Sequence, residues 1–150
     1  MACPWKTELA TANAHTYLWN IDTTTMDSKY LGKQIAQPIE ELDSFPAPDG
    51  IGSVTLTSDE VASSCPITGQ PDFYTVKIEY RPNDRCIESK SLKLYLWRFA
   101  NIPVFAEKLA AEIRDRVVRD IVPMTCRVTT IQKPRGGISI ETVAEYPNPE

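Results

Sequence analysis

A chain of 150 residues that is 42% hydrophobic and 24% charged has an ordinary globular composition, with enough apolar content for one core. Its net charge of −4 gives no general attraction to nucleic acid or to anionic membrane, which leaves only local basic patches for such partners. The cysteines Cys3, Cys65, Cys86 and Cys126 are widely spaced without a CxxC pair, and His15 is the sole histidine, which argues against the usual Cys/His zinc site. No run approaches membrane-spanning length and no apolar leader opens the chain, so a cytoplasmic protein with reduced thiols is expected.

The first 50 residues are mixed, with a polar tract at Asp22-Thr23-Thr24-Thr25 and a Pro/Gly-rich loop predicted over 42–50. Residues 51–58 alternate apolar and polar and read as a strand, as do the β-branched and aromatic residues 73–80. Arg81-Pro82-Asn83-Asp84 then reads as a turn. Residues 88–99 fit two patterns. Leu92, Leu94 and Leu96 alternate like a strand, while Leu92, Tyr95, Leu96 and Phe99 share one helical face. Phe105, Leu109, Ile113, Val117 and Ile121 recur every four residues among charged ones, which predicts an amphipathic helix from near Pro103 to before Pro123. Two strands follow at about 125–132 and 137–145, joined by a loop over 133–137.

Between the first two strands lies Ser64-Cys65-Pro66-Ile67-Thr68-Gly69-Gln70-Pro71-Asp72-Phe73. Pro66 and Pro71 push Cys65 and Gln70 toward extended geometry, so the segment is a stiff turn holding a thiol and a carboxyl. A thiolate is a strong nucleophile and a nearby carboxyl can move a proton. The same two residues in a Pro/Gly loop also suit a purely structural role, and local sequence does not choose between them.

Three separated motifs do. Residues 65–73, then Ile87-Glu88-Ser89-Lys90-Ser91-Leu92-Lys93-Leu94-Tyr95-Leu96-Trp97, then Lys133-Pro134-Arg135-Gly136-Gly137-Ile138-Ser139 resemble, in the same order, the NADPH-dependent 7-cyano-7-deazaguanine reductases of queuosine biosynthesis, the QueF nitrile reductases. The resemblance extends over roughly 40–145, which marks 1–40 as an N-terminal extension and 41–150 as the family domain. It implies an α+β tunnelling fold (T-fold): an antiparallel four-stranded sheet with two helices on one face, in the order ββααββ, with 88–99 helical. It also implies a homo-oligomer, a decamer of two pentamers, with sites between subunits.

By position the resemblance makes Cys65 the nucleophile that forms a thioimide with the nitrile, and Asp72 the proton donor. Asp72 would need burial to keep its proton. Glu107 corresponds to the carboxylate that anchors the purine-like edge, and Ile87, Glu88 and Ser89 line the substrate pocket. Ser89, Lys90, Lys93, Arg135 and Gly136 correspond to the NADPH-binding residues. Cationic side chains and a glycine suit phosphates, and no GxGxxG fingerprint is present. No metal, membrane or direct nucleic-acid contact is implied.

One position departs. The family pattern is Phe-His-Glu, and here it is Phe105-Ala106-Glu107. Ala106 lacks the imidazole expected at the substrate, so adduct formation is expected to persist while reduction slows. The alternatives are an amidine-forming relative that adds ammonia to deazapurine-modified tRNA, and a variant that only captures the nitrile. The intact motif at 88–97 disfavours the first. A zinc hydrolase of similar fold is disfavoured by the single remote histidine.

Overall fold

The computed structural model describes residues 28–148; His15, Cys3 and most of the N-terminal extension lie outside them. The elements are β1 (Ser44–Pro46), β2 (Val54–Ser64), β3 (Pro71–Arg81), β4 (Arg85–Ile87), α1 (Ser89–Trp97), a 3₁₀ turn (Arg98–Asn101), α2 (Ala106–Ile121), β5 (Thr125–Arg135) and β6 (Ile138–Tyr146). β2, β3, β5 and β6 form one antiparallel sheet in the order β2-β3-β5-β6. With α1 and α2 between its two hairpins, this is the expected ββααββ tunnelling fold.

Alternation along the central strands sorts the sheet into two faces. Tyr74, Val76, Ile78 and Tyr80 of β3, with Cys126, Val128 and Thr130 of β5, are almost completely buried on the face that the helices cover. Leu109, Ile113, Val117 and Ile121 of α2 meet them, each at most 2% exposed. Full burial of such a side chain stabilises by roughly 1.5–3 kcal/mol. The other face carries the ion pairs Lys77–Glu79 and Arg127–Glu145 and the exposed Phe73, Ile131 and Val143. Exposed pairs of that kind contribute about 0–1 kcal/mol, so the helix-covered face holds the fold together.

Four boundaries differ from the sequence expectation. The strand expected at 51–58 runs on to Ser64, because a bulge between Ser58 and Val61 resets the alternation and hides the continuation. Within the predicted loop 42–50, β1 pairs with β4, held by Arg85 donating from Nε to Ser44 Oγ at 2.6 Å and from Nη2 to the Ser44 carbonyl at 2.8 Å. Three residues ending in proline carry no readable period. The long helix starts at Ala106, and Phe105 is its extended N-cap residue, 54% exposed, so the buried stripe begins at Ala106 and not at Phe105. Finally, β5 continues through Arg135. Its connection to β6 shrinks to Gly136-Gly137, whose φ values of 57° and 81° match the type I′ hairpin turn that only such residues adopt easily.

The ambiguous segment is helix. The Glu88 carboxylate accepts hydrogen bonds from the backbone N–H of Lys90 (2.7 Å) and Ser91 (2.8 Å), an N-cap that starts α1. Ser91, Leu92, Leu94, Tyr95 and Leu96 are all buried, so the helix is covered on more than one side. That breadth of burial is why both periodicities fitted.

Candidate active site

Cys65 ends β2 and opens the loop to β3. Its N–H donates to the Gln70 carbonyl (2.8 Å), and the Gly69 N–H donates to the Cys65 carbonyl (2.9 Å), with Gly69 at φ 69° closing the turn. Beneath it, the Ser64 N–H donates to the Ile102 carbonyl and the Val104 N–H to the Ser64 carbonyl, both at 3.2 Å. These bonds seat the entry to α2 beside the loop. A cavity of about 350 Å³ results, lined by Cys65, Asp72, Tyr74, Phe105, Glu107 and Arg135 among others.

Asp72 continues the buried row of β3 and is 3% exposed. Arg135 reaches it because a second bulge, between Gln132 and Arg135, sets two residues of β5 against one of β6. Strict alternation would turn Arg135 to the face opposite Gln132; the extra residue returns it to the cavity. Its Nη1 donates to Asp72 Oδ1, and its Nη2 donates to Gln70 Oε1 (3.0 Å) and Thr68 Oγ1 (3.5 Å).

The Cys65 thiol is held down at about 7. Hydrogen bonds from the Thr68 hydroxyl, then from the backbone N–H of Thr68 and Ile67, favour the thiolate, with a smaller contribution from Arg135. Burial pushes Cys126 the other way, up to about 12. Cys86 is also buried, which leaves Cys65 as the half-exposed thiol among the described residues. A thiol that is substantially ionised at neutral pH, next to a buried carboxyl in a cavity, can add to an electrophilic carbon and have a proton moved nearby. Burial also raises the Tyr74 phenol, whose Oη accepts a 3.4 Å bond from Ser63 Oγ.

Glu107 is exposed in the first turn of α2, at the rim of the same cavity. Ala106 lines it too, but is 3% exposed and packed into the core. Its carbonyl accepts from Thr142 Oγ1 at 3.2 Å. Cys65, Asp72, Ala106, Glu107 and Arg135 therefore converge. Gly136 follows directly in the hairpin turn.

The remaining residues gather elsewhere. Ser89 and Lys93 border a groove of about 620 Å³ between β2 and α1, floored by Leu92 and Leu96 and flanked by Trp97. Ile87, Glu88 and Ser89 line a separate apolar hollow with Leu31 and Phe45. Glu88 is occupied as the α1 cap. Lys90 does not line the groove: its ammonium donates to the Tyr30 carbonyl (2.8 Å) and to the Lys33 carbonyl. That strap is anchored by buried Asp43, which accepts from Ser28 Oγ (2.8 Å) and the Lys29 N–H (2.7 Å). Sequence reasoning missed Asp43 and Thr68. Thr68 had a legible signal, a hydroxyl three residues after a cysteine in a turn. Asp43 lies in the stretch 42–46, which also resembles the family but reads only as part of a Pro/Gly-rich loop.

The family model described as QueF-like protein matches residues 71–150. The NADPH-dependent 7-cyano-7-deazaguanine reductase of Syntrophus aciditrophicus (strain SB) is 44% identical over 121 residues, covering 79% of this chain and 86% of that protein. This chain belongs to the QueF family. The reductase of the same name from Frankia casuarinae is 40% identical over 116 residues, covering 77% of this chain and 93% of the relative. The solved structure of the archaeosine synthase QueF-Like in the apo form matches with a TM-score of 0.63 at 24% identity, over 67% of this chain and 99% of that one, a likeness of fold. The QueF-like match takes in Asp72, Glu107, Arg135 and the 87–97 motif and begins just after Cys65. Among the described residues no helix is long and apolar enough to cross a membrane, and no His/Cys/Asp/Glu group is placed to hold a metal ion.

Proposed function

We propose that this chain is a cytoplasmic nitrile reductase that converts 7-cyano-7-deazaguanine to 7-aminomethyl-7-deazaguanine with two NADPH, in queuosine tRNA-modification biosynthesis. The observation that carries this is Cys65, a thiol held at about 7, beside buried Asp72 in one cavity. The Cys65 sulfur adds to the nitrile carbon, and the triple bond becomes the C=N of a thioimide. Asp72, paired with Arg135, takes the proton of the Cys65 thiol and passes it to the nitrogen. Glu107 accepts hydrogen bonds from the adjacent N–H donors of the purine-like edge, with Ile87, Glu88 and Ser89 completing the pocket.

NADPH, when bound, supplies the hydride for each of the two reductions. The groove beside α1 fits such a molecule in kind: an apolar floor of Leu92 and Leu96 for a flat ring, and the Ser89 hydroxyl and Lys93 ammonium for phosphate. Lys90, Arg135 and Gly136 join that set by family position, although Lys90 and Arg135 have partners within the chain. Since one chain splits these residues between separate cavities, the working unit is a homo-oligomer, a decamer of two pentamers, in which neighbouring copies complete each site. The sheet edges β2 and β6 each have one neighbour and are suited to pairing with another copy. The substrate is the free base, with no direct nucleic-acid contact.

NADPH absorbance followed with 7-cyano-7-deazaguanine tests the proposal. Loss of two NADPH per nitrile is expected, and no loss with ample enzyme would sink it. Mass spectrometry with substrate alone is expected to show an adduct on Cys65. An adduct without NADPH loss means a protein that only captures the nitrile, the outcome Ala106 makes worth testing.

A further inference from the structure

We propose that Arg135 is a positioning residue for the nucleophile, a guanidinium fork that braces the 65–70 loop, and with it Cys65, against β3 and β5. Three observations carry it. The bulge in β5 aims Arg135 into the cavity, where regular alternation would aim it away. Its two terminal nitrogens then reach three side chains of one short stretch: Asp72, Gln70 and Thr68. The loop has no apolar anchor of its own, since Ile67 at its tip is 79% exposed. Backbone bonds close its base, and the fork is what ties its side chains to the sheet. A planar fork suits this task because it fixes direction as well as charge.

The family position of Arg135 speaks for contact with NADPH phosphate, whereas here it holds Thr68 and Gln70 of the nucleophile loop and Asp72 of β3. The proposal rests on Cys65 being the nucleophile, yet its test needs neither NADPH nor nitrile, so the two can fail separately. Alkylation of Cys65 by iodoacetamide, read by mass spectrometry of its peptide as a function of pH, measures the thiolate directly. The charged and titratable groups facing the sulfur are Asp72 and Tyr74 from β3, Arg135 from β5 and Glu107 from α2, while β6 presents Ile138 and Ile140.

The untouched protein is expected to show a midpoint near 7, with reactivity gained as pH rises through it. Arg135→Gln is expected to raise the midpoint by about one pH unit, toward the ordinary thiol value of about 8.5. Arg135→Lys keeps the charge without the fork and is expected to recover less than half of that shift. Thr68→Val, a change on the exposed loop that leaves the core alone, is expected to raise the midpoint too. Combined with Arg135→Gln it should add less than its full shift, because Thr68 is one of the side chains the fork holds. An unchanged midpoint in Arg135→Gln or in Thr68→Val overturns the proposal. So does full recovery by lysine, or a double variant whose shift is the sum of the two.

Discussion

Around Cys65 the charged and polar groups hold one another: Arg135 donates to Asp72, Gln70 and Thr68 beside the thiol. Beside α1, Ser89 and Lys93 instead border a groove of about 620 Å³ over an apolar floor, against about 350 Å³ at Cys65. One region is organised by the chain itself and the other is shaped around space. A nucleophile gains from being set before its substrate arrives, because orientation and charge are then fixed in advance. A binding groove gains from keeping its donors for the ligand. The two regions should therefore separate in experiment, one governing the covalent step and the other the use of NADPH.

The sharpest way to break that division is Cys65→Ala. It is expected to abolish the adduct and to reduce turnover roughly 10⁴-fold or more, as loss of a covalent nucleophile does. Residual turnover within tenfold of the parent would remove Cys65 from the mechanism. Next comes Lys93→Ala, expected to raise the KM for NADPH about tenfold, the loss of one charge-assisted hydrogen bond, while adduct yield with substrate alone stays unchanged. A fall in adduct yield would show that the regions are not separable. The smallest effect is expected from Ala106→His, which puts an imidazole where Ala106 is 3% exposed. Overpacking there costs about 1–3 kcal/mol and lowers the melting temperature by several degrees. The reduction rate is expected to rise severalfold with adduct formation unaltered, and a flat rate would mean the imidazole was never limiting.

Much of the fold was legible because it depends on neighbours close in sequence. Alternation along 73–80 and the four-residue spacing of Leu109, Ile113, Val117 and Ile121 report burial on one side of a strand or helix, and both held. Glycines 136 and 137 mark a turn whatever surrounds them. What failed was local pattern interrupted by a single residue. The bulge at Ser58–Val61 hid half of β2, and Phe105 kept the helical spacing while standing outside the helix.

The site divides in the same way. Sequence alone determined which groups are present and in what order: a thiol and a carboxyl across a stiff turn, a lysine-bearing helix, and an arginine at a glycine turn. Only the tertiary structure decided whom they meet. Arg135 finds Asp72 across 63 positions of chain, through a bulge that no residue type announces. Lys90 finds the Tyr30 carbonyl across 60 positions, and Glu88 spends its carboxylate on the start of α1. Residue type sets what a side chain can donate or accept, whereas the partner depends on packing between segments distant along the chain.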